Sequence, residues 1–103
     1  MKMKRIMLIC SAGMSTSLLV KKMEAAATEA GTECKIWACG EAESKKYYDE
    51  TDVILLGPQV RFLKDQVAKA LGDRPVKLDV IDIRNYGCMD GKAVLQQALN
   101  LIG

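Results

Sequence analysis

Four short apolar runs, Arg5–Ile9, Cys34–Ala38, Val53–Leu56 and Val76–Ile81, are separated by stretches whose apolar residues recur every three or four positions. That alternation constrains the fold more than any other feature of the chain. The runs have the length of strands, and the stretches between them have the period of helices. The first and third runs are almost continuously apolar, as strands covered on both faces should be. The fourth alternates in part (Val76, Leu78, Val80) and then adds Ile81 and Ile83, so it is expected to be less covered. Ser15 or Thr16 is placed to cap a helix running to about Ala30, with Leu19, Met23, Ala26, Ala27 and Ala30 on one face and Gly31 as its stop. Gln59–Leu71 repeats the pattern with Val60, Leu63, Val67, Ala70 and Leu71, and Gly72 closes it. Asp90 is placed to cap a last helix carrying Val94, Leu95, Ala98, Leu99 and Ile102. Glu41–Glu50 is polar apart from Ala42, Tyr47 and Tyr48, so a short, partly exposed helix is expected there.

Strands alternating with helices imply an α/β fold: a four-stranded parallel, doubly wound sheet with helices on both faces. The expected strand order is 2-1-3-4, which puts a ligand site at the carboxyl ends of the strands near the switch between strands 1 and 3. No linker, repeat or low-complexity tract interrupts the chain, so residues 1–103 are expected to form a single domain.

Several function classes fall away on composition. A net charge of +2, with basic residues scattered apart from Lys2, Lys4 and Arg5, gives no reason to expect a nucleic-acid partner. No apolar run approaches the ~20 residues that span a bilayer. Met3–Cys10 is too short for a signal peptide and runs straight into a motif, so a cytoplasmic location is expected. Cys10, Cys34, Cys39 and Cys88 are then expected to be free thiols. The chain has no histidine, which excludes an internal Cys–His or Ser–His pair and a histidine phosphocarrier. It also removes the Cys/His zinc patterns, and Cys34/Cys39 lacks a second pair at suitable spacing, so neither a metal nor a cofactor is expected.

What remains is the segment LICSAGMSTSLLV, residues 8–20. Cys10 stands at the carboxyl end of the first strand, followed by Ser11, Ala12, Gly13, Met14, Ser15, Thr16 and Ser17 before a helix begins. The first amides of a helix have no intrahelical partner and carry positive partial charge. With one glycine and four hydroxyls beside them, they make an anion cradle around a thiol, and such a cradle favours thiolate over thiol. A thiolate among phosphate-binding amides suggests attack on phosphorus. The segment is neither a nucleotide P-loop nor a dinucleotide fingerprint, and it lacks the C-x-x-C of a redox pair. Its spacing approaches the phosphatase loop C-x5-R-[ST], but Thr16 stands where that loop has arginine. Without the arginine fork, hydrolysis should be poor, and a cysteine that accepts phosphate without releasing it to water is a relay. A low-molecular-weight phosphatase or arsenate reductase is the alternative enzyme, and a non-catalytic anion-binding module is a third reading.

The segments CSAGMSTSLLVKKM and DVILLGPQVRFL, with YGCMDG near the end, resemble the IIB component of the bacterial phosphoenolpyruvate-dependent sugar phosphotransferase system (PTS), in its lactose/cellobiose/chitobiose family. The resemblance spans the whole chain. It implies a fold like that of low-molecular-weight tyrosine phosphatase and a phosphocysteine at Cys10. The phosphoryl group would come from phosphohistidine on a IIA protein and pass to a sugar held by the membrane transporter IIC, transiently met at the inner face of the membrane. The loop from Ser11 to Ser17 would bind the phosphoryl oxygens. A β-linked disaccharide, cellobiose or chitobiose, is the sugar the resemblance suggests, and nothing in the sequence calls for more than a monomer.

Other residues on the same edge are candidates for a supporting role. Gln59 is placed to bond the cradle or the phosphate, and Arg61 to steer an anion. Tyr86 and Asp90 follow strand 4, Asp90 more simply as a helix cap than as a base. Met14 is a candidate docking residue. Cys34, Cys39 and Cys88 read as small apolar fillers and Trp37 as core.

Overall fold

The computed structural model describes residues 3–11 and 14–103, without the side chains of Met14 and Ser15. Strands β1 (Lys4–Ile9), β2 (Cys34–Cys39), β3 (Val53–Leu56) and β4 (Lys77–Val80) form one parallel sheet in the order β2-β1-β3-β4. The expected architecture and strand order are therefore observed. Central β1 pairs Ile9 with Cys39 on one side and with Leu56 on the other.

The sheet is central because its strands have two apolar faces. Ile6, Leu8, Val53 and Leu55 point to one side, where α1 (Met14–Ala30) and α5 (Gly91–Ile102) cover them with Leu19, Met23, Ala27, Val94, Leu95 and Ala98. Met7, Ile9, Ile54 and Leu56 point to the other, against Tyr48, Val60, Val67 and Leu71. Fully burying such a side chain contributes about 1.5–3 kcal/mol, so the continuous apolar runs of β1 and β3 anchor both layers. Edge strand β4 is only half-buried, as its mixed pattern implied.

Local differences from the sequence pattern have local causes. Helix α1 begins at Met14, so Ser15 and Thr16 lie within its first turn rather than capping it. Gly31 ends it at φ +70°, a conformation glycine adopts without strain. Its expected stripe is buried at Leu19, Met23 and Ala27, while Ala30 is exposed. The expected helix from Gln59 to Leu71 is two pieces, a 3-10 segment at Pro58–Leu63 and α3 at Lys64–Leu71. Val60 leaves helical geometry (φ −120°, ψ 23°) as its side chain enters the core. Residues 41–50 form α2 (Glu41–Ser44) and a 3-10 segment (Lys45–Glu50). Ile83 does not extend the fourth strand. It opens α4 (Ile83–Gly87), because the Asp82 carboxylate accepts from the amides of Arg84 (2.9 Å) and Asn85 (3.3 Å) and starts a helix.

Candidate active site

Parallel strands all deliver their carboxyl ends to one edge, and β1 delivers Cys10 to its middle. The Cys10 amide donates to the Cys39 carbonyl at 3.1 Å, and Cys10 Sγ lies 3.9 Å from that oxygen. The residue is only 3% exposed. Ser11 is exposed beside it. Ala12 and Gly13, and the side chains of Met14 and Ser15, lie outside the described residues. From Met14 the backbone is helical, so the first-turn amides of α1, which have no partner within the helix, belong to the segment that follows the thiol.

Thr16, in that first turn, is 1% exposed, and its hydroxyl has no hydrogen-bond partner among the described residues. A buried polar group left unpaired costs about 1–3 kcal/mol. It is the kind of group that a bound anion satisfies. Ser17, one residue on, is exposed.

The loop after β3 forms the neighbouring wall. The Gly57 amide donates to the Ile9 carbonyl at 2.8 Å, tying this loop to the end of β1. The Gln59 carboxamide folds back over Gly57, with Oε1 only 2.5 Å from where a Cβ on residue 57 would stand. Its Nε2 then donates to the Tyr86 hydroxyl at 3.1 Å, which joins the β3 loop to α4. The structure thus brings Gln59 and Tyr86 together. Asp90 is engaged elsewhere, accepting from the Ala93 amide at 3.0 Å as the cap of α5. Arg61 is exposed.

The other thiols differ from Cys10. Cys39 is half-buried against the Met7 layer, with its Sγ 3.6 Å from Met7 Sδ. Burial, then the charges of Glu43 and Cys10, push the Cys39 thiol up to about 11, so it stays protonated and inert near neutrality. Burial also raises Cys34. Cys88 corrects the expectation of a filler: it is exposed, just past α4. Trp37 is half-buried rather than fully core, packed edge-on against Tyr47 at 5.9 Å.

The family model "PTS system, Lactose/Cellobiose specific IIB subunit" matches residues 5–97. The chain belongs to that family. It is 45% identical to the oligo-beta-mannoside-specific EIIB component of Bacillus subtilis, covering 97% of each chain. It is 47% identical to the galactose-specific EIIB component of Lactococcus lactis, covering 96% of each. The solution structure of a cellobiose-specific IIB protein from Borrelia burgdorferi superposes with a TM-score of 0.81 at 36% identity, over 98% of this chain and 93% of that one. The protein is therefore an EIIB sugar-phosphotransferase component of the PTS, a class that works with IIA and IIC partners. Among the described residues, no helix is long and apolar enough to cross a membrane.

Proposed function

We propose that Cys10 is the phosphoryl carrier of this EIIB component. It attacks phosphohistidine on IIA in line: the S–P bond forms as the N–P bond breaks, and the imidazole nitrogen leaves with the bonding electrons. The phosphocysteine then gives its phosphoryl group to a sugar held by IIC at the membrane. The observation that carries this reading is the buried, unpartnered Thr16 hydroxyl in the first turn of the helix that follows the thiol. Together with the amides of that turn, it offers donors to a phosphoryl oxygen, and the incoming group adds about two negative charges for them to bind. Residues Ser11, Ala12, Gly13, Met14, Ser15, Thr16 and Ser17 make up the cradle.

Gln59 and Tyr86 serve it indirectly, by bracing the Gly57 loop against the end of β1. Asp90 contributes through its helix cap. The sugar is a β-linked disaccharide of the cellobiose or chitobiose type. The relatives carry names for oligo-beta-mannoside, galactose and cellobiose, so the choice among sugars rests with IIC.

The test is incubation with phosphorylated IIA followed by mass analysis. One phosphoryl group should appear on Cys10 and none on Cys10→Ser, whose hydroxyl is not ionised at neutral pH. Serine at 34, 39 or 88 should leave labelling intact. Phosphate on another cysteine would refute the assignment.

A further inference from the structure

Strand β2 forms one border of the sheet, and its Trp37 stands beside Tyr47 of the 3-10 segment Lys45–Glu50. The two rings meet edge-on, with centroids 5.9 Å apart and planes at 68°. They line a cleft of about 280 Å³ whose other walls are Lys35 and Glu50. Both rings rest on the Met7 layer, yet both stay partly exposed. The Trp37 indole Nε1 is shut off from solvent and has no hydrogen-bond partner among the described residues. Lys35 and Glu50 are exposed and make no ion pair among the described residues. Lys35 instead holds its ammonium 5.4 Å from the indole centroid. The cleft is separate from the thiol edge. Trp37 pairs with Met7, three residues before Cys10, so roughly 10 Å of strand lies between the two places.

We propose that this cleft binds one neutral pyranose ring. A pyranose presents C–H bonds on its faces, and their slightly positive hydrogens suit the negative face of an aromatic ring. Two rings set at a steep angle give such a sugar a floor and a side wall. Around its edge the sugar carries hydroxyls, each of which both donates and accepts hydrogen bonds. Glu50 only accepts and Lys35 only donates, so the rim answers both roles. The indole N–H is a further donor for which the described chain supplies no acceptor. The charges select against ions. A cation over the indole would meet the ammonium already there, and an anion would meet the Glu50 carboxylate. The volume lies at the small end of ligand pockets, which holds the site to a single ring. No phosphoryl group enters this proposal, so it stands or falls apart from the relay. It gives the EIIB chain a sugar contact of its own, on the flank of the sheet.

Trp37 is the only tryptophan, so its indole N–H gives a single NMR resonance. Methyl β-glucoside, methyl β-mannoside and methyl β-galactoside are titrated in turn into the isotope-labelled protein, through the millimolar range in which a small open cleft should bind one ring. At least one of them should shift that resonance to saturation, together with the amides of Lys35, Tyr47 and Glu50. Glu50→Gln keeps the shape of the rim and removes its charge, and it should weaken that sugar about tenfold. No shift with any of the three sugars would overturn the site. An equal shift with mannitol, which has hydroxyls but no ring, would show general solvation of the surface and overturn it as well. A tighter response to adenosine would give the two rings to a nucleobase, which also overturns it. Affinity in Glu50→Gln within about twofold of wild type would overturn the rim as a hydroxyl-binding wall.

Discussion

Cys10, just past the end of β1, and Cys39, the last residue of β2, are joined by a backbone hydrogen bond of 3.1 Å, yet their surroundings differ in kind. Cys39 looks into a thioether and an apolar layer, while Cys10 follows its strand and precedes a helix. The difference has a consequence at alkaline pH. The Cys39 thiol is raised from 9.0 to about 11 by folding, so the folded state holds its proton where the unfolded chain has lost it. That contribution to stability is complete below pH 9 and is lost as pH rises through 11. Because the side chain is only half-buried, the loss should be on the order of 1 kcal/mol rather than the full shift. Urea unfolding at pH 8 and pH 10.5 should show Cys39→Ala losing less stability over that interval than wild type. An equal loss would mean that the burial is not felt. At this scale the position of Cys10 just past the end of β1 was legible, because the residue stands in a motif with its own composition. The Gln59–Tyr86 bond was not, since 27 residues separate its ends and no local pattern links them.

Among the elements, α1 and α5 meet through Gly91. A Cβ at that position would stand 2.5 Å from the Lys22 carbonyl carbon, so the two helices approach at backbone distance. Gly91→Ala should therefore destabilise the protein by about 1–3 kcal/mol through overpacking. Gly87 lies in α4 with open space where its Cβ would be. Gly87→Ala should be neutral or stabilise by up to about 1 kcal/mol. Denaturant midpoints for the two variants should thus move in opposite directions, or only the first should move. The same stretch shows what the sequence pattern conceals. Ile81-Asp82-Ile83 alternates like the end of a strand, but Asp82 bonds two amides ahead of it and turns the chain into a helix. Val60 likewise fits a helical stripe by spacing, but it reaches the core only by breaking the helix. Strand β3 and the Ile6–Ile9 part of β1 were legible because their residues are buried on both faces, which leaves no polar position to obscure the pattern.

For the molecule as a whole, the order 2-1-3-4 was the expectation for a doubly wound parallel sheet, and it gathers the carboxyl ends of all four strands on the edge that holds Cys10. A carrier must keep its phosphoryl group until the acceptor arrives, so water must attack slowly. Thr16 stands where a phosphatase loop has arginine and offers only a hydroxyl. Phosphocysteine should persist in buffer and be discharged quickly by unphosphorylated IIA. Thr16→Arg should raise hydrolysis modestly, because the guanidinium fork returns without an acid for the leaving sulfur. The same variant should slow transfer, because a large side chain enters a buried position. The half-life of the phosphorylated protein, alone and with IIA, measures both. Decay of the wild type within seconds would restore the phosphatase alternative.

The seam between the first and last helices also bears on how the protein is made. Helix α1 emerges early during synthesis, but Leu19, Met23 and Ala27 find their cover in Val94, Leu95 and Ala98. Until those residues leave the ribosome, the helix that follows Cys10 packs on the sheet without its α5 neighbour. On the proposed relay reading, a nascent chain should therefore give phosphoryl donors nothing to label.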